Sequence, residues 1–134
     1  MFSNFSPAAR RVLRVAEQEC RNHSQYYVGA EHVLIALLEE RDPATLQALA
    51  ADGIDAADVH AEVRRALGGG EERFWEGILV TPRVRRIVAL AQERAGDRAI
   101  EPVDLFDALR AEGGSTAAGI LRRAAARNTA TARE

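Results

Sequence analysis

At 134 residues, 47% apolar and 28% charged, the chain is long enough for one packed domain and too hydrophobic to be disordered. Aromatic residues are only 5% and the apolar content is mostly Ala, Leu and Val, which favours helices over a sandwich or barrel. A net charge of −2 argues against a general nucleic-acid binder, one cysteine permits no internal disulfide, and no 18-residue apolar run exists to span a bilayer. Met1-Phe2-Ser3-Asn4 lacks the basic flank and apolar run of a signal peptide, so a cytoplasmic location is expected.

The first helix is predicted from Pro7 to about Arg21. Ser6 stands as its N-cap with proline at the first helical position, and Ala9, Val12, Leu13, Ala16 and Cys20 fall on one inward stripe. A loop over Asn22 to Gly29 leads to a second helix at about Glu31 to Arg41, with Val33, Leu34, Leu37 and Leu38 inward. Asp42-Pro43 opens a third helix that buries Leu46 and Leu49 and stops at Gly53. Ile54 and Val59 flank the cap Asp55 as a hydrophobic staple for a fourth helix, which buries Val59, Val63 and Leu67 and ends at Gly68.

Gly68-Gly69-Gly70 breaks the helix, and Glu71 to Val80 connects to the second half of the chain. Phe74, Trp75, Ile78 and Leu79 are apolar for a linker; they either pin the connector to the core or form a recognition edge. Thr81-Pro82-Arg83-Val84-Arg85-Arg86-Ile87-Val88 then repeats Ser6-Pro7-Ala8-Ala9-Arg10-Arg11-Val12-Leu13 at an offset of 75. Its helix ends at Gly96. The next begins at Pro102 with Leu105, Phe106 and Leu109 matching Val33, Leu34 and Leu37 at an offset of 72, so the intervening loop is three residues shorter. Ser115 caps a seventh helix, whose Leu121 matches Leu49. Beyond it no staple or Val/Leu stripe appears.

The expected fold is therefore all-α, two pseudo-symmetric four-helix repeats with the eighth helix short or missing. The expected boundaries are repeat one over 5–67, a linker over 68–80, repeat two over 81–127 and a frayed tail over 128–134.

The motifs carry a resemblance. Phe2 with Phe5-Ser6-Pro7-Ala8-Ala9-Arg10, Tyr27-Val28-Gly29-Ala30-Glu31-His32-Val33-Leu34, and Thr81-Pro82-Arg83 together resemble the N-terminal domain of the Clp family of AAA+ unfoldases, over roughly Met1 to Leu121. That resemblance implies a domain that docks protein substrates, degrons or adaptors for a Clp ATPase, fused or separate, and performs no catalysis. A monomer is expected. Some bacterial members recognise phosphoarginine through the motif glutamate and the start of a repeat helix, which carried over gives one pocket from Glu31 and Ser6. A carboxylate pairs with guanidinium, and free amides at a helix start take the phosphate. Relatives also use a groove between the repeat-opening helices for peptides, cyclic peptide antibiotics included. The resemblance then marks Phe2, Ser6, Arg10, Glu31, Leu79, Val80, Thr81 and Arg85 as peptide- or adaptor-binding.

Two departures stand out. Ala30 occupies the place of the threonine that caps the second helix, and Glu101-Pro102-Val103-Asp104 replaces the second Gly-Thr-Glu-His, so Val103 stands where a glutamate would pair with guanidinium. No Gly-x-x-x-x-Gly-Lys-(Ser/Thr) phosphate loop is present.

Other chemistries are weaker. Cys20, His23, His32 and His60 are the only nucleophile, base or soft-ligand candidates beyond the hydroxyls. Cys20 and His23 sit one turn apart, but a closed zinc site needs four ligands, so no metal or cofactor is expected. His32 should pack or cap beside Glu31, and no catalytic serine elbow appears. Arg10, Arg11 and Arg14, with Arg83, Arg85 and Arg86, make two basic faces suited to phosphates; a nucleic-acid binder is the alternative they raise, against 20 acidic residues. A free-standing decoy that sequesters adaptors or Clp-targeting peptides is another.

Overall fold

The computed structural model describes residues 4–22, 27–67 and 79–133, the side chains of Leu79 and 128–133 excepted. Its helices are α1 (Pro7–Asn22), α2 (Ala30–Glu40), α3 (Pro43–Ala51), α4 (Ala56–Leu67), α5 (Pro82–Ala95), α6 (Pro102–Glu112) and α7 (Thr116–Arg133). Two strands of two residues, β1 (Tyr27–Val28) and β2 (Leu79–Val80), pair in parallel. Phe2, His23, Gly68 to Gly70, Phe74, Trp75 and Ile78 lie outside the described residues.

The helix starts follow the cap chemistry. Ser6 Oγ accepts from the Ala9 amide at 3.1 Å, Thr81 Oγ1 from Val84 at 3.1 Å, and Ser115 Oγ from Ala118 at 3.0 Å. Asp42 caps α3 through Thr45, and Asp55 takes the amides of Ala57 and Asp58 at the start of α4, with Ile54 and Val59 buried on either side. Gly53, Gly96 and Gly113 stand at positive φ beyond α3, α5 and α6, where a left-handed residue ends a helix without steric cost.

One expectation is corrected. The second helix is not buried along a stripe: Ala30 and His32 to Leu38 are all buried, so α2 is enclosed by α1, α3, α4, α6 and α7. Repeat two has no separate eighth helix, in line with the expectation that it is short or missing. Its α7 runs unbroken to Arg133, because Asp52-Gly53, which ends α3, is replaced at the offset of 72 by Ala124-Ala125. One helix thus spans the place of α3 and continues into the first part of that of α4, and it packs against α4 itself. Leu67 is only half buried.

The repeats are joined through crossed backbone pairs. Phe5 bridges Ile100, with the Ser6 amide donating to the Ile100 carbonyl at 2.9 Å. Val80 pairs with Val28, with the Thr81 amide donating to the Val28 carbonyl at 3.1 Å. At the offsets of 75 and 72 these are the same pair twice, the signature of a pseudo-dyad. Repeat one therefore lends its first segment to repeat two and receives one back. The core beneath is continuous, with Leu34 and Phe106, which are equivalent positions, both fully buried.

Candidate functional site

The crossed pairs decide which helix starts are neighbours. Parallel β1 and β2 bring Thr81 alongside Gly29, so α5 and α2 begin side by side. The Phe5–Ile100 bridge does the same for α1 and α6. Glu31, in the first turn of α2, therefore lies at the Thr81 end of the molecule, and Ser6 lies beside Ile100 and the approach to Val103. Nothing in the residue pattern signals this exchange, since two-residue strands have no periodicity and β1 and β2 are far apart in the chain.

The first pair of helix starts is held by His32. Gly29 adopts extended backbone (φ −98°, ψ 174°) and its amide donates to His32 Nδ1 at 2.9 Å, which fixes the ring's other nitrogen as the protonated one. His32 thus supplies the closure that Ala30 cannot. Glu31 is half exposed, and its Oε2 would stand 3.1 Å from a Cβ added at Gly29, so this glycine leaves room for the carboxylate. Val80 and Thr81 are half buried; Arg10 and Arg85 are exposed on the outer faces of α1 and α5. Only the backbone of Leu79 is described.

The second pair uses different chemistry. Asp104, at the position of His32, accepts from the Glu101 amide at 2.9 Å and from the two terminal guanidinium nitrogens of Arg98 at 2.6 and 2.7 Å. Burial pushes the Asp104 carboxyl up, but Arg98 and the Glu101 amide outweigh it and hold the group below its ordinary value. Val103, half buried, offers no charge beside Ser6.

Away from these starts, Arg64 Nη2 bridges Glu19 at 3.0 Å and Glu39 at 2.8 Å, tying α4 to α1 and α2, with His60 on Glu39 at 3.1 Å. Burial pushes Glu39 up, yet His60 and Arg64 bring it below the ordinary range. Cys20 is buried, and burial raises its thiol, the behaviour of a packed small hydrophobe. Among the described residues no group of three or more His, Cys, Asp or Glu comes together to hold a metal ion, and no helix is long and apolar enough to cross a membrane.

A duplicated helical domain whose repeats open in crossed pairs is the class of protein these features define. The chain belongs to the Clp repeat (R) N-terminal domain family, whose pattern matches residues 4–124. It is 32% identical over 124 residues to the chloroplastic chaperone protein ClpC of Pisum sativum, covering 90% of this chain and 13% of that protein. It is 30% identical over 95 residues to the negative regulator of genetic competence ClpC/MecB of Bacillus subtilis, covering 71% of this chain and 12% of that protein. The fold is also that of the Hsp104 N-terminal domain from Candida albicans (TM-score 0.75, 13% identity, 91% of this chain and 82% of that one) and of the ClpD N-terminal domain from Arabidopsis thaliana (TM-score 0.68, 22% identity, 92% and 88%). The chain thus spans about an eighth of the length of the curated relatives it matches.

Proposed function

We propose that this domain docks protein substrates, degrons or adaptors for a Clp ATPase and performs no reaction of its own, and that its polar pocket takes phosphoarginine once, not twice. The observation that carries the reading is the asymmetry of the two paired helix starts: Glu31 stands at one and Val103 at the other. The carboxylate of Glu31 would hold the guanidinium. The phosphate would sit on the first turn of α5, where Pro82 has no amide hydrogen and Thr81 takes that of Val84, which leaves the Arg83 amide to donate. The β1–β2 pair supports Thr81 over Ser6 as the partner of Glu31. The apolar groove would lie beside it at Val80, with Phe2 and Leu79 assigned to it by the family resemblance alone.

Calorimetry with free phosphoarginine tests the pocket. One binding equivalent is expected, abolished by Glu31→Ala, weakened by Thr81→Ala and unchanged in Ser6→Ala; Val103→Glu should raise the stoichiometry to two. A loss in Ser6→Ala with Thr81→Ala unaffected would return the phosphate to α1, and no heat from the unaltered chain would reject the pocket. For the groove, an unfolded peptide should shift the amide resonances around Val80; an unperturbed Val80 would refute it.

A further inference from the structure

The two repeats differ in charge. Residues 79–133 carry ten arginines and six carboxylates, whereas residues 4–67 carry seven arginines and ten carboxylates. Five arginines of the second repeat are engaged by carboxylates: Arg83 on Glu112, Arg94 on Asp107, Arg98 on Asp104, Arg110 on Asp52 and Arg127 on Glu62. Among the described residues no ion pair joins Arg122 or Arg123 to a carboxylate.

Those two and Arg83 lie over neighbouring glycines, with the Glu112 carboxylate beside Arg83 and accepting from the Gly114 amide at 3.1 Å. Arg122 Nη1 donates to the Gly113 carbonyl at 2.8 Å. A Cβ at Gly114 would stand 3.2 Å from Arg83 Nη2, and one at Gly119 would stand 3.4 Å from Arg123 Nη1 and 3.7 Å from Arg122 Nη2. Three guanidinium groups therefore lie close over Gly113, Gly114 and Gly119, in a strip from the start of α5 across the α6–α7 turn onto α7. Gly119 is buried, and the atoms nearest a Cβ placed there belong to the two arginine side chains. At the equivalent positions the first repeat has Ala8, Ala50 and Ala51 for the arginines, and Asp42 and Gln47 for two of the glycines. The strip has no counterpart across the pseudo-dyad.

We propose that this strip is a docking surface for an acidic segment of a partner protein. Guanidinium groups present paired N–H donors that match carboxylates, and Arg83 already holds one, that of Glu112, at 3.3 Å. A short acidic segment meets only the basic half of the molecule. A long polyanion such as nucleic acid would also meet the acidic first repeat, so charge complementarity favours the protein segment. The strip shares no side chain with the Glu31 pocket, and the two proposals stand or fall separately.

The test uses the full chain and a decaglutamate peptide, read by two-dimensional amide NMR at low and high salt. Shifts are expected at Gly113, Gly114 and Gly119, fading as salt rises. Arg122→Gln with Arg123→Gln should weaken the peptide about three- to tenfold, while Arg14→Gln and Arg65→Gln, exposed on the first repeat, leave it unchanged. Phosphoarginine calorimetry should be unaffected by the double variant. Shifts spread equally over α1, equal weakening by the first-repeat variants, or no binding at low salt would overturn the proposal. So would an oligothymidylate of equal charge that binds more tightly with the same arginine dependence.

Discussion

The two repeats close the same helix start with opposite chemistry. In repeat one, a neutral buried imidazole takes the Gly29 amide, and Glu31 beside it stays half exposed and unengaged by any described side chain. In repeat two, a buried carboxylate takes the Glu101 amide and is itself neutralised by Arg98, while Val103 fills the place of Glu31. The contrast separates what the fold requires from what it leaves free. Both copies need an acceptor at the third helical position, because the amide that leads into a buried helix must be satisfied. Neither needs a carboxylate at the second, so that position can be kept for a ligand in one copy and released in the other.

The sharpest way to test whether the repeats are one cooperative unit is to empty the same place in each. Leu34→Ala and Phe106→Ala remove equivalent, fully buried side chains and should cost about 3 and about 4 kcal/mol respectively. Both losses should appear as one shifted transition in urea unfolding, because the crossed backbone pairs and the Arg110–Asp52 bridge (2.6 Å) tie the halves together. Two separate transitions in either variant would break the equivalence and show the repeats unfolding independently.

Next comes the acceptor itself. Asp104→Ala strands the Glu101 amide and frees Arg98, and should cost about 2 kcal/mol, held down because Arg98 is half exposed. Its folded carboxyl is depressed below the ordinary value of 3.8, so the stability it contributes is fully present above that value. That contribution is lost as pH falls through the lower folded value. Asp104→Asn should therefore flatten the acid limb of stability below about pH 4, measured as urea midpoints against pH. An unchanged limb would mean that Asp104 is not what the fold loses in acid; Glu39, depressed as well, would then be the group to remove.

Much of the fold is legible in the chain. The cap-plus-proline starts, the inward stripes and the two offsets of 75 and 72 locate six of the helix starts and the equivalences between the repeats, because each depends on neighbours a few residues away. What stays hidden depends on distance. A pair between Val28 and Val80 leaves no trace in two-residue strands, so the pocket carried over from the family resemblance joins Glu31 to Ser6 within its own repeat. The complete burial of α2 is likewise decided by five helices that close over it, not by its own spacing. The unbroken α7 is readable in principle. Its alanines at 124 to 126 are strong helix formers, and the missing glycine opposite Gly53 is a missing stop signal.

The smallest effect concerns the other end of the same two helices. Gly113 ends α6 in the left-handed region at φ 74°, and its equivalent at the end of α2 is Arg41, at φ 55°. A Cβ at Gly113 would meet nothing closer than 3.5 Å, so the backbone alone sets the penalty there. Gly113→Ala should cost about 1 kcal/mol, and Arg41→Gly should gain about 0.5 kcal/mol, less because glycine also loosens the unfolded chain. Thermal unfolding of the two variants measures both. Opposite signs are required if the repeats share one helix-ending geometry; a destabilised Arg41→Gly would mean that the arginine side chain, not the backbone turn, secures the end of α2.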